Sequence, residues 1–79
     1  MDQIEKFLKK LDKKTALKIA QILTDIATLH IGSYDLEKLA GQKDLWRIRS
    51  GKIRIIFSKK DERGIPVYIE FRGKVYKKL

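Results

Sequence analysis

Residues 45–57, LWRIRSGKIRIIF, alternate bulky apolar residues with Arg and Lys on either side of a Ser-Gly pair. Successive side chains of a β-strand point to opposite faces, so the run reads as a hairpin of two strands, each with one apolar and one basic side. With Ser50 and Gly51 as the loop, Arg49 faces Lys52, Arg47 faces Arg54, Ile48 faces Ile53 and Trp46 faces Ile55. Trp46, Ile48, Ile53 and Ile55 then form a core-facing surface, and four cations crowd together on the other side. Like charges directly opposite destabilise a strand pair by up to about 1 kcal/mol. The crowding is therefore expected to serve an anionic partner.

The remaining segments supply what this hairpin needs to bury its apolar side. Ile4, Phe7, Leu8 and Leu11 keep the i, i+3, i+4, i+7 spacing of one helix face, with Lys6, Lys9 and Lys10 outside it. Asp12 is placed to cap a second helix that runs to about residue 29, and Gly32 is placed to end it. The apolar positions of that helix, from Ala16 to Leu29, exceed a single stripe. Cover is expected from the sheet on one side and from the first helix or a partner on the other. Residues 30–44 read as a connection with a helical turn over 35–39 and a break at Gly41, with Leu36 and Leu39 turned inward.

A third strand is expected near 65–72, joined to the hairpin by the polar turn KKDERG. Pairing Phe57 with Val67, Ile55 with Ile69 and Ile53 with Phe71 keeps the apolar set on the core side. It sets Ile56 beside Tyr68, Arg54 beside Glu70 and Lys52 beside Arg72 on the other. The expected fold class is α+β, an N-terminal helical hairpin packed on a small antiparallel β-sheet, as one domain over residues 1–79.

Seventy-nine residues leave no room for a second core, and a chain of this size buries only about 60% of its unfolded surface. Cysteine is absent, so disulfides and thiolate metal sites are excluded, and a cytoplasmic location is the expectation. No signal peptide or membrane-spanning run is visible. The 19 cations against 10 acids give a net charge of +9, unevenly placed. Residues 1–39 hold seven cations and six acids, whereas residues 40–79 hold twelve and four. Such a field on the sheet half favours a polyanion, nucleic acid first and an acidic protein second, against the plainer reading of a surface kept charged for solubility.

In their order, IEKFLKKLDKKTALKIAQIL, LEKLAG, LWRIRSGKIRIIF and IEFRGKVYKKL resemble the RelE branch of the RelE/ParE toxin superfamily over nearly the whole chain. The hairpin followed by Arg72 and Tyr76 is the most specific part of the likeness. It implies a RelE-like fold of the microbial-ribonuclease kind and the toxic half of a type II toxin–antitoxin pair. The implied activity is a metal-independent endoribonuclease that cuts mRNA in the ribosomal A site, without a cofactor. The implied partners are the ribosome with its mRNA and a cognate antitoxin protein, forming a toxin–antitoxin hetero-oligomer, with no membrane involved.

Residue by residue, the resemblance makes Arg47 and Arg49, with Lys52 and Lys74, the holders of the RNA backbone. Arg54 is matched to a contact on the scissile phosphate, Arg72 to transition-state stabilisation and Tyr76 to positioning or stacking of the base. Relatives often carry a strand ahead of the first helix, which this sequence lacks, so a more open sheet edge is expected. Some relatives carry His near the position of Arg72, and none stands there in this chain.

RNA cleavage by its own 2′-OH needs a proton taken, phosphoryl charge stabilised and a leaving oxygen protonated. Arginine stays protonated but clamps phosphate well, which suits Arg54 and Arg72 to electrostatic work. Glu70, the one carboxylate expected on the face, reads first as a sheet ion pair and second as the base. His30, near a helix end, reads as a residue suited to the helix dipole, Trp46 as core, Tyr34 as loop packing and Tyr68 as a cross-strand filler. Two other functions fit the same fold: a ParE-like toxin that binds and poisons DNA gyrase, and an inactive basic binding module.

Overall fold

The computed structural model describes residues 3–41 and 44–71. Two helices, α1 (Gln3–Lys9) and α2 (Lys13–Ala27), precede four strands, β1 (Asp35–Lys38), β2 (Leu45–Ser50), β3 (Ile53–Lys60) and β4 (Arg63–Phe71). The strands form one antiparallel sheet in sequence order, so strands adjacent in sequence are adjacent in the sheet. Both helices pack on one face of it, chiefly against β4. The class expected from the sequence, α+β with helices on a small antiparallel sheet, is the one observed.

Local chemistry explains where α2 starts and stops. The Asp12 carboxylate accepts a hydrogen bond from the Thr15 amide at 3.3 Å, satisfying one of the orphan donors of the first turn. At the other end His30 N donates to Asp25 O at 2.8 Å and Leu29 N to Ile26 O at 3.1 Å, the two bonds of a Schellman cap. The left-handed residue of that cap is Leu29, at φ +58°, and not Gly32. Its side chain packs against the core, which offsets a left-handed penalty of about 1–2 kcal/mol.

The core is built from Phe7 of α1, Ile19, Ile22 and Ile26 of α2, Ile31, and Ile48, Ile53, Ile55, Phe57 and Ile69 of the sheet. Ile4, Leu8 and Leu11 lean on it, as the spacing of the first helix predicts. The second helix is covered on one side only by the described residues. Leu17 is 64% exposed, and Ala20 and Ala27 also face solvent. Gly64 of β4 lies directly beneath α2, where an added Cβ would stand 2.4 Å from the Ile26 carbonyl oxygen.

Three expectations about the sheet are corrected. Residues 35–39 are not a helical turn: Asp35–Lys38 is an edge strand paired with β2. The hairpin loop is Gly51-Lys52, so Ser50 faces Ile53, Arg49 faces Arg54, Ile48 faces Ile55, Arg47 faces Ile56 and Trp46 faces Phe57. Gly51, at φ +58°, takes the first central position of a two-residue loop, where a II′ turn uses glycine. The partners shift by two residues, which leaves every side chain on its expected face. Between β3 and β4 the pairs Ile53–Phe71, Arg54–Glu70, Ile55–Ile69 and Ile56–Tyr68 are as expected, but a bulge follows, and Phe57 faces Pro66 while Val67 is half exposed.

The free edge of β4 is closed at one point. Gln3 of α1 donates its side-chain amide to Ile69 O and accepts from Ile69 N at 3.0 Å, so its amide mimics a strand peptide. No helix among the described residues is long and apolar enough to cross a membrane.

Candidate nucleic-acid interface

The face of the sheet turned away from the helices is organised in rows that cross the strands. One row runs Asp35, Arg49, Arg54, Glu70, and the next runs Glu37, Arg47, Ile56, Tyr68. The first has two guanidiniums side by side with a carboxylate at each end. The second puts one guanidinium between a carboxylate and an apolar pair that ends in a tyrosine 41% exposed. Beyond them Ser58 faces Ile65, another exposed apolar side chain of β4.

Arg47, Arg49 and Arg54 are each ion-paired. Arg49 donates from Nε at 2.9 Å to an Asp35 oxygen, and its Nη2 lies 2.8 Å from the same oxygen. Arg47 pairs with Glu37. Arg54 Nε stands 2.8 Å from a Glu70 oxygen, and both side chains are largely enclosed, at 19% and 15% exposure. Arg47 Nε is buried and makes no hydrogen bond among the described residues. An unsatisfied buried donor costs about 1–3 kcal/mol.

The structure thus brings Arg47, Arg49, Arg54 and Glu70 onto one face. Lys52 is exposed in the β2–β3 loop at one end of it rather than in the row. Arg72, Lys74 and Tyr76, and the pairing of Lys52 with Arg72, lie outside the described residues. Glu70 is not the only carboxylate on the face, because Asp35 and Glu37 share it. Those two acids stand on β1, where the sequence suggests a helical turn. The signal was present in YDLEK: Tyr34 and Leu36 alternate with Asp35 and Glu37, an acid-x-acid pattern complementary to the Arg-x-Arg of β2.

Trp46, His30 and Tyr34 have structural partners. Trp46 sits half buried at the margin of the core, with Lys59 Nζ 4.6 Å and Lys38 Nζ 5.9 Å from its ring centroid. The His30 ring lies 2.9 Å from the Thr28 hydroxyl at the end of α2. Tyr34 donates its hydroxyl to Asp25 at 2.5 Å, which ties the connection before β1 to α2, and that bond together with burial raises the phenol above its ordinary pKa. Among the described residues no group of three or more His, Asp or Glu side chains gathers as metal ligands would.

No protein-family model matches the chain, and no curated protein and no solved structure matches it.

Proposed function

We propose that this chain is the toxin of a type II toxin–antitoxin pair, a RelE-like, metal-independent endoribonuclease that cuts mRNA in the ribosomal A site and so stops translation. The observation that carries the reading is the clustering of Arg47, Arg49, Arg54 and Glu70 in two neighbouring rows of one open sheet face. β4 leads from Glu70 into the segment that holds Arg72, Lys74 and Tyr76. Cations backed by a stacking aromatic are what a single RNA strand needs.

The chemistry follows from these side chains. The 2′-oxygen of the substrate attacks the adjacent phosphorus and the bond to the 5′-oxygen breaks, leaving a cyclic phosphate. Arg54 and Arg72 stabilise the charge that accumulates on the phosphoryl oxygens. Glu70, the most enclosed of the three carboxylates, takes the 2′ proton when the phosphate draws Arg54 from it. Solvent protonates the leaving oxygen, because arginine is too weak an acid to do so. Tyr76 orients the base. The ribosome supplies most of the substrate alignment, which compensates for this modest acid–base equipment.

An antitoxin fits the exposed apolar residues: Leu17 on α2, and Ile65 and Val67 on the edge strand β4. Saturation with it is expected to raise the melting temperature of the toxin.

The test is to map mRNA 5′ ends in a translation reaction with the protein and with its Arg72→Ala variant. The parent is expected to produce new ends within A-site codons. The variant is expected to cleave about 10²–10³-fold more slowly in single turnover while still binding ribosomes. If the parent leaves mRNA intact and inhibits gyrase, the ParE-like reading replaces this one.

A further inference from the structure

We propose that β1 is a built-in competitor for RNA, its two carboxylates occupying Arg47 and Arg49 until a phosphate displaces them. The proposal rests on the part of the functional reading that lays an RNA strand on the outer face of the sheet.

Four observations carry it. Asp35 and Glu37 are the outward residues of a four-residue strand at the edge of the sheet. Their side chains are 52% and 60% exposed, against 38% and 16% for the arginines they engage, so the acids are the solvent side of each pair. Arg49 brings two guanidinium nitrogens, Nε and Nη2, within 2.9 Å of one oxygen of Asp35, an arrangement that also suits a phosphate oxygen. Last, Arg49 directly faces Arg54, and the carboxylates at both ends of that row offset a repulsion that would otherwise spread the guanidiniums.

The physical consequence is a face whose arginines are held in place yet cheaply released. Ion pairs with so exposed a partner contribute little net free energy, so exchanging carboxylate for phosphate costs little. The exchange still lowers the affinity for free RNA, because two cations that would release counterions from the strand are already neutralised. Binding then depends on whatever else holds the substrate in position, which restricts the toxin to RNA that is presented to it.

The test measures binding of a short fluorescent oligouridylate to the full chain across a salt series. The Asp35→Asn/Glu37→Gln variant is expected to bind about tenfold more tightly than the parent. Its slope of log K against log salt should steepen by about 0.7 for each arginine released. A control with the same charge change, Asp61→Asn/Glu62→Gln in the β3–β4 turn, should change affinity less than about twofold. Equal gains in both variants would make the effect one of overall charge and overturn the proposal, as would unchanged or weaker binding by the β1 variant.

Should the double variant fold poorly, Asp35→Asn alone breaks the Arg49 pair and is expected to tighten binding about threefold; no gain there overturns the proposal too. mRNA cleavage by the parent is read separately. Tighter binding by the variant with no cleavage by the parent removes the nuclease reading and leaves the competitor, and cleavage without tighter binding does the reverse.

Discussion

One sheet presents two faces, and neighbouring residues along each strand belong to opposite ones. Ile48, Ile53, Ile55, Phe57 and Ile69 look inward and meet Ile19, Ile22 and Ile26 of α2. Arg47, Arg49, Arg54 and Glu70 look outward, where Arg54 pairs with Glu70 and the other two arginines with the acids of β1. The inner face is held by area: any apolar side chain of suitable volume contributes, whichever strand supplies its neighbour. The outer face is held by identity, since an arginine there is balanced only if the residue directly across is an acid. Stability therefore resides on one side of the sheet, and the other is free to be arranged for a ligand.

The comparison is tested most severely where α2 sits on the sheet. Gly64 leaves room for the Ile26 carbonyl, and a methyl group at 2.4 Å from that oxygen cannot be absorbed by a side-chain rotation, since the clash is with backbone. Gly64→Ala is expected to cost about 3 kcal/mol, the upper part of the range for overpacking. Urea unfolding with an unchanged m-value would report this as lost stability. A loss below about 1 kcal/mol would mean that α2 lifts from the sheet easily and that the inner face owes little to close packing.

The same contrast explains what could be read from the sequence. Parity along a strand assigns a face, and it survives a two-residue error in register. Trp46, Ile48, Ile53 and Ile55 lie on the inward side although the loop is Gly51-Lys52 rather than Ser50-Gly51. The capping of α2 by Asp12 and the core stripe of α1 were legible for a similar reason, because each depends on a few residues close in sequence. The outer face was only half legible. Its arginines and the Arg54–Glu70 pair follow from alternation, but the partners of Arg47 and Arg49 come from β1, a short edge strand that propensity does not distinguish from a turn. The bulge at Val67 has a local signal in Pro66, a residue that strands accommodate only at edges or bulges, but alternation alone does not use it.

A smaller effect is expected at the seam between helix and sheet. Tyr34→Phe removes the hydroxyl bonded to Asp25 and should cost about 1 kcal/mol, since the pair is only partly enclosed. The pH dependence gives a cleaner signature. The folded protein raises the Tyr34 phenol above its ordinary value of 10.0. The contribution is therefore fully present below that value and is lost as pH rises through the higher folded one. In a series of melting curves above pH 10 the difference between parent and variant should shrink. A constant difference would assign the loss to packing instead.

The smallest expected change in stability is also the sharpest contrast, because it compares two residues next to each other on β2. Ile48→Ala empties a fully buried site of the inner face and should cost about 2–5 kcal/mol. Arg47→Met, one position away, keeps the stem that packs on the sheet and removes a charge whose partner, Glu37, is 60% exposed. It also removes the buried Nε that lacks a hydrogen bond among the described residues, a gain that offsets the lost ion pair. The net effect on stability should lie within about 0.5 kcal/mol of zero, and oligouridylate binding to the full chain should weaken by about tenfold. Thermal unfolding and the binding isotherm of the two variants measure both quantities side by side. Should Arg47→Met unfold the protein as readily as Ile48→Ala does, the outer face would be part of what holds the fold together, and the division of labour between the two faces would fail.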